Sequence, residues 1–211
     1  CTAGPFAENG YLVECGEGVA VAVDPGAGAR TMVEILRGGE LSLAAVLLTH
    51  AHLDHVDGLS TLLDEADAPV YLHPDARAQY DALPEQAKRF GMPLDRPPPP
   101  PDEALAHGET LAFGSCAFQV REAPGHAPGH VIFWEEEEGA AFVGDVVFRG
   151  SIGRTDLPGG DYRVLMRSIR EQVLTLPDET RLYTGHGPDT TVEQERTGNP
   201  FLIPHYGGEL A

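Results

Sequence analysis

The chain is built from short apolar blocks separated by turn residues, and the spacing inside each block predicts its conformation. Tyr11 to Glu14 and Val19 to Asp24 are β-prone runs, with Glu17-Gly18 between them as a hairpin turn and Asp24-Pro25-Gly26 ending the second. From Ala29 to Arg37 the apolar residues Met32, Val33, Ile35 and Leu36 fall at helical spacing, and Gly38-Gly39 stops the helix. Ala45 to Leu48 is an unbroken apolar run, the mark of a strand buried on both faces, and it delivers Thr49 and His50 to its C-terminal end. A helix from about Gly58 to Ala66 leads to a strand at Val70 to Leu72, and Pro74 to Phe90 reads as one or two surface helices.

Pro97 to Pro101 is an extended, stiff connector. A second series of strands follows at Thr110 to Phe113, Ala117 to Glu122, Val131 to Trp134 and Ala140 to Val143, with Glu135 to Glu138 as a solvated hairpin tip. Tyr162 to Leu174 is an amphipathic helix, Arg181 to Thr184 a last strand and Thr191 to Arg196 a closing helix. Strands and helices thus come in two similar series. That pattern predicts an α/β fold of two sheets with helices outside, a single domain over residues 1–211 rather than two separable ones.

Composition narrows the partners. With 33 acidic and 14 basic side chains, the net charge of −19 leaves no basic footprint for nucleic acid and no attraction to an anionic membrane. The longest apolar runs are one strand long, far short of the ~18 residues of a spanning helix. Cys1, Cys15 and Cys116 are odd in number, widely spaced and without a CxxC pattern, which predicts reduced thiols in a cytoplasmic protein.

The chemistry concentrates in Thr49-His50-Ala51-His52-Leu53-Asp54-His55, directly after the buried strand. Imidazole and carboxylate are the ligands that zinc, iron and manganese accept, and a turn lets alternate side chains converge where a helix would splay them. Further ligands are expected from three glycine-rich turns that each follow a strand: Gly125-His126, Gly144-Asp145 and Gly185-His186-Gly187. The other histidines, His73, His107, His130 and His205, read as solvated or satisfied by one hydrogen bond. Ser42, Ser60, Ser115 and Ser168 lack the setting of a nucleophile.

The order HxHxDH, His126, Asp145, His186 resembles the metallo-β-lactamase fold superfamily across essentially the whole chain. The resemblance implies a four-layer αββα sandwich. It also implies two divalent cations, zinc first with iron or manganese as alternatives, one on His50, His52 and His126, the other on Asp54, His55 and His186, bridged by Asp145. The segment from Val147 through Gly160 and the ending from Glu195-Arg196 through Asn199-Pro200-Phe201 resemble the small, single-domain glyoxalase II-like hydrolases. A C-terminal helical domain is not expected, because 25 residues follow His186. The implied reaction is attack of a metal-bound hydroxide on a small-molecule thioester of the S-lactoylglutathione type, with Asp54 orienting the nucleophile, and Arg149 and Arg154 as candidate substrate contacts. The competing readings are a persulfide dioxygenase with one Fe(II) on His50, His126 and Asp145, since Gly153 to Asp156 also fits that group, or another metal-dependent ester or lactone hydrolase.

Overall fold

The computed structural model describes residues 1–92, 94 and 97–203; His205 lies outside them. A two-residue ladder between β1 (Thr2–Ala3) and β2 (Glu8–Asn9) precedes a five-stranded sheet of β3 (Tyr11–Glu14), β4 (Val19–Val23), β5 (Ser42–Leu47), β6 (Val70–Leu72) and β7 (Glu103–Ala104), in that spatial order. Only β3 and β4 run antiparallel, joined by the expected tight turn, where Glu17 and Gly18 both take positive φ. Between these strands lie α1 (Ala29–Gly38), α2 (Leu53–Val56), α3 (Leu59–Leu63), α4 (Arg77–Asp81) and α5 (Leu83–Phe90). The helix expected from Gly58 starts earlier, at Leu53, and divides at Gly58, which packs so closely on another loop that a Cβ would lie 1.9 Å from the Gly26 carbonyl oxygen.

The second half supplies β8 (Thr110–Phe113), β9 (Cys116–Glu122), β10 (Val131–Glu135), β11 (Ala140–Gly144), a small hairpin of β12 (Val147–Phe148) and β13 (Ser151–Ile152), α6 (Tyr162–Ser168), β14 (Arg181–Thr184), β15 (Thr190–Thr191) and α7 (Val192–Gly198). Its sheet has the order β15-β14-β11-β10-β9-β8. The helical turn widens to π geometry over Ile169–Val173 after α6. Glu135 departs from the reading of a solvated tip: it is buried at the end of β10, where its carboxylate accepts the Glu138 N–H.

Alternation along the strands creates the layers. In β4, Val21 and Val23 face Phe118, Val120, Phe133 and Phe142 of the other sheet, whereas Ala20 and Ala22 face Met32, Val33 and Leu36 of α1. Small residues on the outer face let the helix sit close. Across the molecule, Leu165, Met166, Ile169 and Val173 cover Ile132, Ala141 and Val143. The result is the αββα sandwich. Pro97–Pro101 runs outside it without regular structure, fastened by the Tyr80 hydroxyl, which donates to the Pro99 carbonyl at 2.6 Å. No helix of the described residues is long and apolar enough to cross a membrane.

The expectation of three reduced thiols is corrected. Cys15, just past β3, and Cys116, opening β9, form a disulfide; face-to-face packing brings their Cα atoms to 5.1 Å although 101 positions separate them in sequence. Spacing along the chain carries no sign of such a pairing, because it is made by sheet stacking. Protein purified without reductant is therefore expected to show one reactive thiol when denatured, that of Cys1, and all three cysteines after reduction. Three thiols before reduction would remove the cross-link, whose closure of so long a loop is worth about 2–4 kcal/mol.

Candidate metal centre

Four strand ends converge on one edge of the sandwich. His50 follows β5, His126 lies in the turn between β9 and β10, Asp145 follows β11 and His186 follows β14, which pairs in parallel with β11 so that both chains leave the sheet on the same side. The motif after β5 divides into two conformations. Thr49 to His52 stays outside the helix, while Asp54 and His55 come from α2, so the expected turn accounts for only the first half. At Gly185 a Cβ would meet Asp145 Oδ1 at 2.1 Å and His55 Cε1 at 2.7 Å, so the main chain reaches the cluster only without a side chain.

All seven expected residues are brought together. His52 Nδ1 lies 3.0 Å from His50 Nε2 and 2.8 Å from His126 Nε2. A second group forms beside it, with His186 Nε2 3.3 Å from Asp54 Oδ2 and His55 Nε2 4.0 Å from the same oxygen. Asp145 stands between them: Oδ2 is 3.5 Å from both His126 Nε2 and His186 Nε2, and Oδ1 is 3.4 Å from His55 Nε2.

The outward nitrogens explain this convergence. His126 Nδ1 donates to the Arg154 carbonyl at 2.8 Å, His186 Nδ1 to the Phe6 carbonyl at 3.0 Å and His55 Nδ1 to Asp24 Oδ2 at 3.0 Å. His50 Nδ1 faces Thr49 Oγ1 at 3.0 Å, and that hydroxyl donates to Asp24 Oδ2 at 2.6 Å. With the proton assigned to Nδ1 in each ring, the Nε2 lone pairs point inward, the arrangement in which acceptors behind a histidine orient it for a cation.

These residues fit metal ions. Burial, reinforced by the neighbouring rings, holds His50 well below its ordinary pKa, and burial with His126 nearby pushes His52 down to about 3, so the first group is neutral nitrogen. In the second group burial would lower His186, but in the metal-free chain hydrogen bonds to Asp145 and Asp54 carry it up to about 10; a cation there would take the place of the Nε2 proton between the same carboxylates. His55 Nε2 and Asp145 Oδ1 are buried with no hydrogen-bond partner among the described residues, which a cation would supply. A third geometric grouping, Asp24 with His50 and His55, is weaker because donors already occupy both Asp24 oxygens.

Three residues escaped the sequence reading. Asp24 marked only a strand end, yet its carboxylate takes the Thr49 N–H at 2.7 Å, the Thr49 hydroxyl and His55. His130 is fully buried, stacks on His50 at 4.7 Å and accepts the Asp145 N–H at 3.1 Å; its signal was the repeated Gly-His pair at Gly125-His126 and Gly129-His130. Glu8 has both carboxyl oxygens buried without hydrogen-bond partners among the described residues, 3.9 Å from His55 Nδ1 at the nearest, and burial pushes its pKa up to about 9. His73 and His107 keep the modest roles expected, each with a single contact to Glu122 beyond its own turn.

A cavity of about 740 Å³ opens over the cluster, walled by Leu53, Phe148, Ile152 and Pro158 and by one face of α5. Arg154 lines it but is exposed and donates to both oxygens of Asp156 at 2.7 and 2.8 Å. Arg149 is not on this wall; its guanidinium donates to the Asp189 carbonyl.

Asp24 offers two oxygens to three donors, so either amide orientation in Asp24→Asn sets an NH2 against a donor. The variant is expected to lose about 1–3 kcal/mol of stability without metal and about tenfold or more in cation affinity. Thermal unfolding of the metal-free chain and metal titration check both; wild-type values in each would remove Asp24 from this role.

Comparison with known proteins agrees with the geometry. The family model of the metallo-beta-lactamase superfamily matches residues 3–186. The chain is 39% identical over 198 residues to the hydroxyacylglutathione hydrolase GloC of Haemophilus influenzae, covering 93% of each chain. Among solved structures it is similar to TTHA1623 in a di-iron-bound form, with 44% identity, a TM-score of 0.87 and coverage of 96% and 98% of the two chains. It is also similar to the BLEG-1 B3 metallo-beta-lactamase, with 39% identity, a TM-score of 0.87 and coverage of 96% and 97%. Strand ends, histidine cluster and relatives agree: the chain is a metallo-hydrolase and belongs to the metallo-β-lactamase superfamily.

Proposed function

We propose that the chain hydrolyses thioesters of the hydroxyacylglutathione type with two divalent cations, zinc for preference. His50, His52 and His126 would hold one, Asp54, His55 and His186 the other, and Asp145 lies where it could serve both. The observation that carries this reading is the position of Asp145, whose two oxygens face histidines of both groups at 3.4 and 3.5 Å. The named Haemophilus relative supports the substrate class, and the di-iron form of TTHA1623 supports two cations while leaving iron beside zinc.

Bound cations would supply Lewis acidity, lowering the pKa of water from ~15.7 toward ~7 and polarising a carbonyl. The chain's own groups do the rest. Asp54, on the cavity wall, is ionised already in the metal-free chain: burial would raise its pKa, but the His186 hydrogen bond and the His55 charge bring it below the usual range, and a cation would do the same in their place. It can therefore orient the attacking water and take its proton. His186, held by the Phe6 carbonyl, has Nε2 3.3 Å from Asp54 Oδ2, so a cation shared by the two would keep that carboxylate in place for the task. The C–S bond of the thioester breaks to release a thiolate, which at an ordinary pKa of ~8.5 needs no dedicated acid.

A persulfide dioxygenase using one Fe(II) on His50, His126 and Asp145 leaves Asp54, His55 and His186 without a task, and this favours the hydrolase. Elemental analysis of protein purified without added metal, beside a thioester panel, separates the two. We expect about two cations per chain and thioester cleavage; one iron with oxygen uptake on a persulfide and no thioester cleavage would falsify the hydrolase. Asp54→Asn is expected to lower turnover about a hundredfold or more while the first group retains metal, and unchanged turnover would exclude Asp54 as the orienting base.

A further inference from the structure

The cavity-facing side of α5 carries a cation that no carboxylate of the described residues neutralises. Ala82, Glu85, Gln86, Arg89 and Phe90 all line the cavity, and their spacing by three and four residues marks a single helix face. That face is fastened over the candidate centre by Gln86, whose amide donates to the Ala51 carbonyl, between His50 and His52, at 3.2 Å and to the Gln79 carbonyl at 2.9 Å. Two arginines line the cavity. Arg154 is spent on Asp156. Glu85, one turn before Arg89, pairs instead with Lys88 at 2.6 Å. Among the described residues, Arg89 has no carboxylate partner, in a chain with 33 acidic against 14 basic side chains. Beside it Phe90 meets Phe6 edge-on at 5.6 Å, giving the same wall an apolar border.

We propose that Arg89 binds a carboxylate on the thiol arm of the substrate and selects anionic thioesters over neutral ones with the same acyl group. A guanidinium takes a carboxylate through two parallel charge-assisted hydrogen bonds, and one without an internal partner keeps that fork free for a ligand. A hydroxyacyl group is only a few atoms long and carries no charge, so the carboxylate belongs to the thiol arm. In its reaction this inference rests on the thioester-hydrolase reading; in its binding it does not. Arg89 is exposed, so replacing it leaves the core untouched.

The test compares S-lactoylglutathione with S-lactoyl-N-acetylcysteamine, an uncharged thioester of the same acyl group, on the metal-loaded chain and three variants. The anionic-to-neutral ratio of kcat/KM is expected to fall about tenfold or more in Arg89→Gln, through KM, as for loss of one charged hydrogen-bonded pair. Arg89→Lys should recover part of it, and Arg154→Gln should move it by less than about twofold, the pattern of a positional rather than a general charge effect. A ratio in Arg89→Gln equal to wild type, or a wild-type preference for the neutral thioester, overturns the proposal. If the wild-type chain cleaves neither compound, the hydrolase reading fails, and Arg89 is judged by calorimetric binding of S-hexylglutathione beside its diethyl ester. A wild-type preference for the free acid that Arg89→Gln abolishes then upholds the site. Equal binding of the two, a preference that survives the substitution, or no binding overturns it.

Discussion

The carboxylate of Asp24 is the point on which the candidate centre depends. Its residue turns the chain out of β4 at a positive φ, a conformation aspartate tolerates better than most side chains, and this aims both oxygens at the end of β5. There they hold the Thr49 main chain, the Thr49 hydroxyl and His55. Through Thr49 the same carboxylate reaches His50, so one buried anion sets the facing of a ring in each group. Imidazoles left to themselves would share protons with each other or turn to solvent. Acceptors behind them remove that choice.

Those acceptors come from all parts of the chain, which ties the centre to the fold as a whole. The Phe6 carbonyl behind His186 belongs to the N-terminal turn between β1 and β2, and Asn9 in β2 fixes the same region by donating to the Thr184 and Gly187 carbonyls at 3.0 and 2.7 Å. The short entry ladder thus positions the last of the seven residues. The Arg154 carbonyl behind His126 comes from the loop after β13, so the loop whose side chain was expected to touch substrate supports the cluster through its main chain instead. Strands deliver the side chains and loops fix their rotation.

This division explains what was legible in the sequence. Periodicity and turn chemistry are local, and they located β6 at Val70–Leu72, β8 at Thr110–Phe113 and β14 at Arg181–Thr184 to the residue. The inward residues were legible too, because HxHxDH and the Gly-flanked His126, Asp145 and His186 crowd polar groups where strands end. What escaped is non-local. Asp24 and His130 act on residues brought near only by strand pairing, the Cys15–Cys116 bond exists only once the sheets stack, and Glu8 is buried by a ladder of two residues. Arg149 and Arg154 shared a loop with the expected site, but loop membership does not decide where a long side chain points.

Charge separates the partners by scale. A polyanion must meet much of the protein's outer surface, and the excess of 33 acidic over 14 basic residues repels it wherever the two surfaces come within the ~8 Å screening length. A small substrate meets only the lining of one cavity. Part of the acid excess sits inside, in Glu8, Asp24 and Asp145, where histidines, hydrogen-bond donors or burial of the neutral acid deal with it, so it does not repel a ligand as a surface carboxylate would. Net charge therefore argues strongly about nucleic acid and membrane, and says almost nothing about the sign of the molecule that enters the cavity. That sign is decided by the few side chains on its wall.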